Sequence, residues 1–248
     1  MSSFIIKLIA IYAMLCDHFN DAIIGHFTFL NVIGRLAFPL LAFQIVIGYK
    51  NTSNIKKYLL RLIIFAIISQ IPFQIFMKNT MGIFELNVFF TLFGGLVSLI
   101  IMDTNFLKNK MGNMIVKILL VILICVLAEI LKCDYGAVGI LTILLINFTY
   151  PCDFKKNDNK KINNKIDYKK LILLLLGAII LALIEYKDTI KNVDFKISIQ
   201  IIVATIIPVF IMITYNGKKG KSLKYFFYAF YPIHLIILDI MNYYLYLK

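Results

Sequence analysis

Long apolar runs broken by short polar segments set the pattern of this chain. Nine runs are long enough, or nearly so, to cross a bilayer: residues 4–17, 36–49, 58–76, 86–103, 113–131, 136–150, 171–186, 197–214 and 226–245. A helix of about twenty apolar residues matches the hydrocarbon thickness. The first, second and sixth runs fall short of it, so each recruits flanking polar residues, tilts little, or lies beside a thinned or wet region. The stretch between the first two runs, residues 19–35, is too apolar for a free loop and predicts a short interfacial helix or re-entrant segment over 22–33. The pattern predicts an all-α polytopic membrane protein, with about nine transmembrane helices plus a short interfacial helix after the first, in a single transmembrane domain over residues 1–248. Within it, residues 152–170 are Lys- and Asn-rich with little to bury and predict a mobile cytoplasmic loop.

Composition agrees: 61% of the 248 residues are hydrophobic and mean hydropathy is +0.87, too apolar for a soluble domain of this size. The first run carries no small-residue cleavage site and reads as a retained span. A formal charge of +13 raises the question of nucleic acid, but the charges lie between the apolar runs, the signature of membrane orientation. Nineteen of the 26 Lys and Arg fall on one face and seven on the other, so the N-terminus is expected in the cytoplasm and the C-terminus outside. The lipid bilayer is the partner these charges imply; nucleic acid is not. The cysteines Cys16, Cys125, Cys133 and Cys152 stand singly, without metal-ligand spacing, and read as packing thiols; no metal is expected.

Polar residues inside apolar runs are costly and point to function. The densest set closes the first run, where Asp17, His18 and Asp21 fall within five positions. The i,i+3 and i,i+4 relations place Asp21 beside both His18 and Asp17, and a histidine with a carboxylate in reach is a general base held in one tautomer. The same residues also read as a helix-end cap facing headgroups. At the same expected level lie Arg35, Gln70, Asn87 and Asp134, with Glu129 at the end of the fifth run, so one outward polar chamber is expected to gather them. Glu129 needs a cation or a proton there, and Arg35 is a partner for it or for Asp17. Asn87 reads equally as interhelical hydrogen-bond glue. A second set lies at the inner face: Lys57 and Arg61 entering the third run, and Asn216, Lys218 and Lys219 before the last. These offer a phosphate seat or simply the positive-inside signal. His234 sits midway along the last run, as a packing histidine or a base.

The segments MLCDHFND, IGRLAFPLLAFQIVIGY, KKYLLRLIIFAIISQIPF, LNVFFTLFGGL, CDYGAVGILTILL, YNGKKGK and FFYAFYPIHLIIL resemble, in order, those of the TraX family of integral membrane proteins. The resemblance fails mainly between residues 152 and 197. The family is named for an inner-membrane protein implicated in acetylating the amino terminus of conjugative pilin, and it is similar to membrane acyltransferases that draw on cytoplasmic acetyl-CoA. The resemblance implies acetyl-CoA as donor, held near Arg61, Lys57, Asn216, Lys218 and Lys219, with His234 along its path. His18, oriented by Asp17 or Asp21, would take the proton of an amine or hydroxyl, and Arg35 or Gln70 would stabilise the oxyanion. The partners implied are acyl-CoA and an extracytoplasmic acceptor, whether pilin, peptide or glycan. Two other readings stand beside it: a proton-coupled transporter using Glu129, His18 and His234 as a relay, and a non-catalytic assembly factor for envelope or surface appendages.

Overall fold

The computed structural model describes residues 1–80, 84–151, 166–192 and 195–246. Among the described residues the chain is all-helical. Nine helices have fourteen residues or more: α1 (Ser3–Phe19), α3 (Ala37–Asn51), α4 (Ile55–Thr80), α5 (Val88–Asp103), α6 (Lys110–Ile130), α7 (Gly136–Thr149), α8 (Tyr168–Glu185), α10 (Phe195–Ile213) and α11 (Lys224–Tyr246). Two short ones, α2 (Phe29–Gly34) and α9 (Lys187–Asn192), and a π-helical turn, Asn20–Ile24, complete the set. The nine apolar runs thus coincide with the nine long helices.

Six helical units are long and apolar enough to cross a membrane: Ser3–Ile24, Phe29–Asn51, Ile55–Thr80, Lys110–Ile130, Phe195–Ile213 and Lys224–Leu245. α5 and α7, at 16 and 14 residues, are shorter, and α8 holds Lys169, Lys170 and Glu185 within its 18. The first two units lengthen the short first and second runs: the π turn extends α1 to Ile24, and α2 runs through Arg35 and Leu36 into α3. The short helix expected over 22–33 is therefore confined to Phe29–Gly34. Gly25, at φ 73°, takes the left-handed conformation that ends the π turn, and Thr28 starts α2 with a capping box closed by Asn31. The expected loop 152–170 is shorter at its far end, because Asp167 accepts from the amides of Lys169 (3.1 Å) and Lys170 (3.3 Å) and so begins α8 at Tyr168. Residues 152–165, Cys152 among them, lie outside the described residues.

α3 is the centre. Ala37, Leu40, Phe43 and Val46 are buried along its length, whereas α6 buries little beyond Asn113, Lys117, Val121 and Ala128. α1, α5, α7 and α10 pack on α3, and α4 and α11 pack side by side. Gly95 lets α5 close on α7, where a Cβ would run into the Ile143 side chain. Exposed Ile64, Ile67, Ile68 and Ile71 on α4 and Ile115, Leu119, Ile122 and Val126 on α6 make apolar outer faces suited to hydrocarbon.

The two ends of the bundle are each tied by backbone. At one end the N-terminus joins the loop between α10 and α11: the Ser3 and Phe4 amides donate to the Lys218 and Lys219 carbonyls at 2.9 and 3.1 Å, and the Asn216 amide to the Met1 carbonyl at 2.9 Å. At the other end the loop before α5 pairs with the loop before α7. There the Leu86 amide donates to Lys132 (2.9 Å) and the Asp134 amide to Leu86 (2.8 Å).

Candidate functional site

The polar knot at the end of α1 divides between two partners. Asp17 and Asp21, one helical turn apart, converge on Asn31 of α2, whose Nδ2 donates to Asp17 Oδ1 at 3.0 Å and to Asp21 Oδ1 at 2.9 Å. Asn31 is itself held: its Oδ1 accepts from Asn20 Nδ2 at 2.5 Å and from the Thr28 amide at 3.1 Å. α2 comes this close because Gly34 faces Asp17, where a Cβ would overlap the carboxylate. Sequence reasoning missed Asn31. Its signal was the Thr28-x-x-Asn31 spacing at a helix start, within reach of the knot.

His18 turns the other way, to α11. Its Nδ1 lies 2.7 Å from His234 Nε2, with the two rings 9° from parallel and their centroids 5.0 Å apart. His234 Nδ1 is 2.9 Å from the Phe230 carbonyl oxygen, which can only accept, so Nδ1 carries the proton. In the neutral pair Nε2 of His234 then accepts from His18 Nδ1–H, and the lone pair of His18 is left on Nε2. The expectation that Asp17 or Asp21 orients His18 is corrected here: His234 does. The aspartates are drawn off because an amide with two N–H groups between two carboxylates satisfies both.

Arg35, at the joint of α2 and α3, carries the one ion pair among the described residues, 3.7 Å from Asp17. Its guanidinium lies 4.8 Å from the Tyr186 ring centre, and its Nε is buried without a partner. Asp134, Glu185 and Glu85 are close enough to interact electrostatically, and Arg35 is the cation that acts on Asp134 and Glu185. Burial, and after it the carboxylates of Glu185, Glu85 and Asp17, push the Asp134 carboxyl well above its ordinary value, and Arg35 opposes them. Glu185 and Tyr186 were not anticipated. They sit at the ends of elements, where apolar runs and turns gave no reason to single them out.

Gln70, Asn87 and Glu129 belong to the same end of the bundle but are engaged in holding it. Gln70 Nε2 donates to the Glu85 carbonyl at 2.8 Å while its Oε1 accepts from the Asn87 amide (3.0 Å) and Asn87 Nδ2 (2.8 Å). Asn87 Nδ2 also donates to the Ala66 carbonyl (2.8 Å), and Asn87 Oδ1 caps α5 by accepting from the Phe89 amide at 3.1 Å. With its side-chain donors and acceptor so used, this pair is a clamp between α4 and α5. Glu129 is exposed, and its Oε1 accepts from the Ala137 amide at 2.7 Å, capping α7 from α6. The cation it was expected to need is supplied by the positive end of a helix.

At the opposite end, Arg61 is half-buried beside α11, 5.5 Å from the Tyr58 ring centre and bonded to Tyr228. Lys7, Lys219 and Lys224 repel one another across the start of α1 and α11, and Arg61 repels Lys224. Among the described residues these four have no ion pair with a carboxylate. Lys57, Lys218 and Lys219 are exposed, and Asn216 Oδ1 accepts from the Lys218 amide at 3.1 Å, ordering the turn that carries them. Lys7 and Lys224 are additions to the expected set.

No solved structure matches the chain. A probable fimbrial assembly protein of Dichelobacter nodosus (FimC, serogroup H1) is 28% identical over 245 residues, covering 96% of this chain and 94% of that protein. The order of motifs along α1, α3–α5, α7 and α11 agrees with a family-level match that covers nearly the whole chain: the model of the TraX protein matches residues 2–242, and the chain belongs to the TraX family.

Proposed function

We propose that the protein is a membrane-embedded acyltransferase that moves an acyl group from cytoplasmic acyl-CoA, acetyl-CoA in the simplest case, to an amine or hydroxyl at the extracytoplasmic face. The observation that carries this is the His18–His234 pair, part-buried between a set of cations with no carboxylate partner among the described residues at one end of the bundle and the Asp134, Glu185 and Glu85 carboxylates at the other. His18 Nε2 takes the proton as the acceptor's nitrogen or oxygen attacks the thioester carbonyl. The carbon–sulfur bond then breaks, and the proton returns from His18 to the departing CoA sulfur. Arg35, with an unpartnered Nε, supplies positive charge to the oxyanion. Arg61, Lys7, Lys219 and Lys224 take the donor's phosphates, which gives the N-terminal end of the bundle a cytoplasmic orientation. The name of the Dichelobacter nodosus relative supports a role in fimbrial or pilus assembly, with the acceptor belonging to that assembly.

The transport reading requires Glu129 to relay protons to the histidines, but its carboxylate is exposed and bonded to the α7 backbone, which favours the transferase. The test is acetyl-CoA turnover by purified protein offered peptide-amine and hydroxyl acceptors, with calorimetry for donor binding. His18→Ala is expected to lower turnover by about 10²–10⁴-fold while leaving donor binding, and Arg61→Ala to weaken binding. Unchanged turnover in His18→Ala, or no donor binding by folded protein, refutes the reading.

A further inference from the structure

Beside the histidine pair lies a groove of ≈ 520 Å³ between α1, α2 and α11. Its walls include Leu15, Phe19 and Leu30 on one side and Phe230, Ile237 and Met241 on the other, with the carbon face of His234 between them, and its lining surface is wholly apolar. An acetyl group needs only a small fraction of such a volume, which lies in the range of sites for whole small molecules. The rims at Ile237 and Met241 are 52% and 39% exposed.

The order of groups along α11 says what fits. Lys224 and Tyr228, with Arg61 against it, come first; His234 follows ten residues after Lys224, about 15 Å along the axis; Ile237 and Met241 continue for about 10 Å more. Cation, base and apolar groove therefore succeed one another in one direction. A ligand matching that order has an anionic head, a reactive centre and a hydrocarbon tail, which is the layout of a fatty acyl-CoA. Resting on the acyltransferase reading, we infer that the groove holds the acyl chain of the donor and that the protein transfers a medium or long acyl group. The tail lies against Phe230, Ile237 and Met241, while the thioester carbonyl sits at the histidine pair. When the acceptor displaces CoA, the new ester or amide keeps its tail in the groove until it leaves sideways into hydrocarbon.

The test measures binding of CoA, acetyl-CoA and decanoyl-CoA to the purified full-length protein in nanodiscs, for the parent and for Ile237→Trp and Met241→Trp. Both substitutions project an indole from an exposed rim, and two of them guard against one failing to fold. The parent is expected to bind decanoyl-CoA at least about a hundredfold more tightly than acetyl-CoA, since each buried methylene is worth roughly fourfold. That ratio is expected to fall to within about tenfold in either folded variant. Equal affinity for the two chain lengths in the parent overturns the inference, with CoA binding preserved showing that the acyltransferase reading survives. A ratio that persists in both variants also overturns it, because the chain is then partitioning into lipid or seated elsewhere. Failure of the parent to bind any of the three overturns the acyltransferase reading and this inference with it.

Discussion

Asn31→Leu removes the amide that joins the knot to α2 while keeping close to the same volume. Asn31 is 3% exposed and sits in four side-chain hydrogen bonds, two of them to the carboxylates of Asp17 and Asp21 at 3.0 and 2.9 Å. A hydrogen bond to a charged group contributes about 1.5–3 kcal/mol, so the two carboxylate bonds together come to about 3–6 kcal/mol. The bonds to Asn20 and the Thr28 amide add to this, because both donors stay behind in a buried site. Arg35 at 3.7 Å compensates Asp17 in part, but Asp21 lies beside Asp17 and feels its charge. Against a folded-state stability of about 5–15 kcal/mol the loss is large. For a chain of this size about 1 kcal/mol shifts Tm by about 2–4 °C, so a fall of at least about 6 °C is expected. The chain has no tryptophan, which makes the far-ultraviolet circular dichroism melt of detergent-purified protein the suitable assay. A Tm within about 2 °C of the parent would refute the view that Asn31 holds the two carboxylates.

Three further outcomes are expected. His234→Ala removes the acceptor for His18 Nδ1–H, so turnover is expected to drop about 10²-fold or more while Arg61-dependent donor binding stays; steady-state kinetics beside calorimetry checks this, and equal turnover would remove His234 from the positioning of His18. Asn87→Ala strips the α5 cap and two donors from the α4–α5 clamp, for a loss of about 2–4 kcal/mol measured by thermal melt, with the folded fraction keeping its turnover. Asp134 has a folded-state value raised above 3.8 by burial and by Glu185, Glu85 and Asp17, so its protonated form favours the fold. Its stabilising contribution is complete below the ordinary value and is lost as pH climbs through the raised one, and Asp134→Asn is expected to show a smaller fall in Tm than the parent as pH rises from the ordinary carboxylate range.

The helices were legible because hydrocarbon leaves a backbone few options, and each apolar run became one long helix. Their ends were less so. α1 reads as stopping at Asp17, since three ionisable residues in five positions look like an exit to water, yet the helix continues and widens into a π turn because Asn20 and Asp21 find partners inside the protein. Asp167 read as part of a solvated lysine-rich loop, but its carboxylate caps two amides and starts α8 there. In both cases a tertiary or capping partner absorbs polarity that hydropathy assigns to solvent.

The candidate site was legible as a level in the bundle but not as a set of pairs. The sequence put Asp17, Asp21 and His18 on neighbouring faces of one helix, a relation that allows a carboxylate–imidazole bond without requiring it. What decides is which partner each group meets across the bundle. Gly34 lets α2 approach until Asn31 lies between the aspartates, and a two-donor amide satisfies both carboxylates at once. His18 is left facing α11, 216 positions away in sequence, where His234 is already committed through Nδ1 to Phe230 and has only an acceptor to offer. That commitment sets the tautomer of His18 and directs its free lone pair to Nε2. A single histidine on an apolar helix, read alone, is a packing residue; two of them, the second fixed by a backbone carbonyl and in turn fixing the proton of the first, make a base whose orientation no local spacing could have announced.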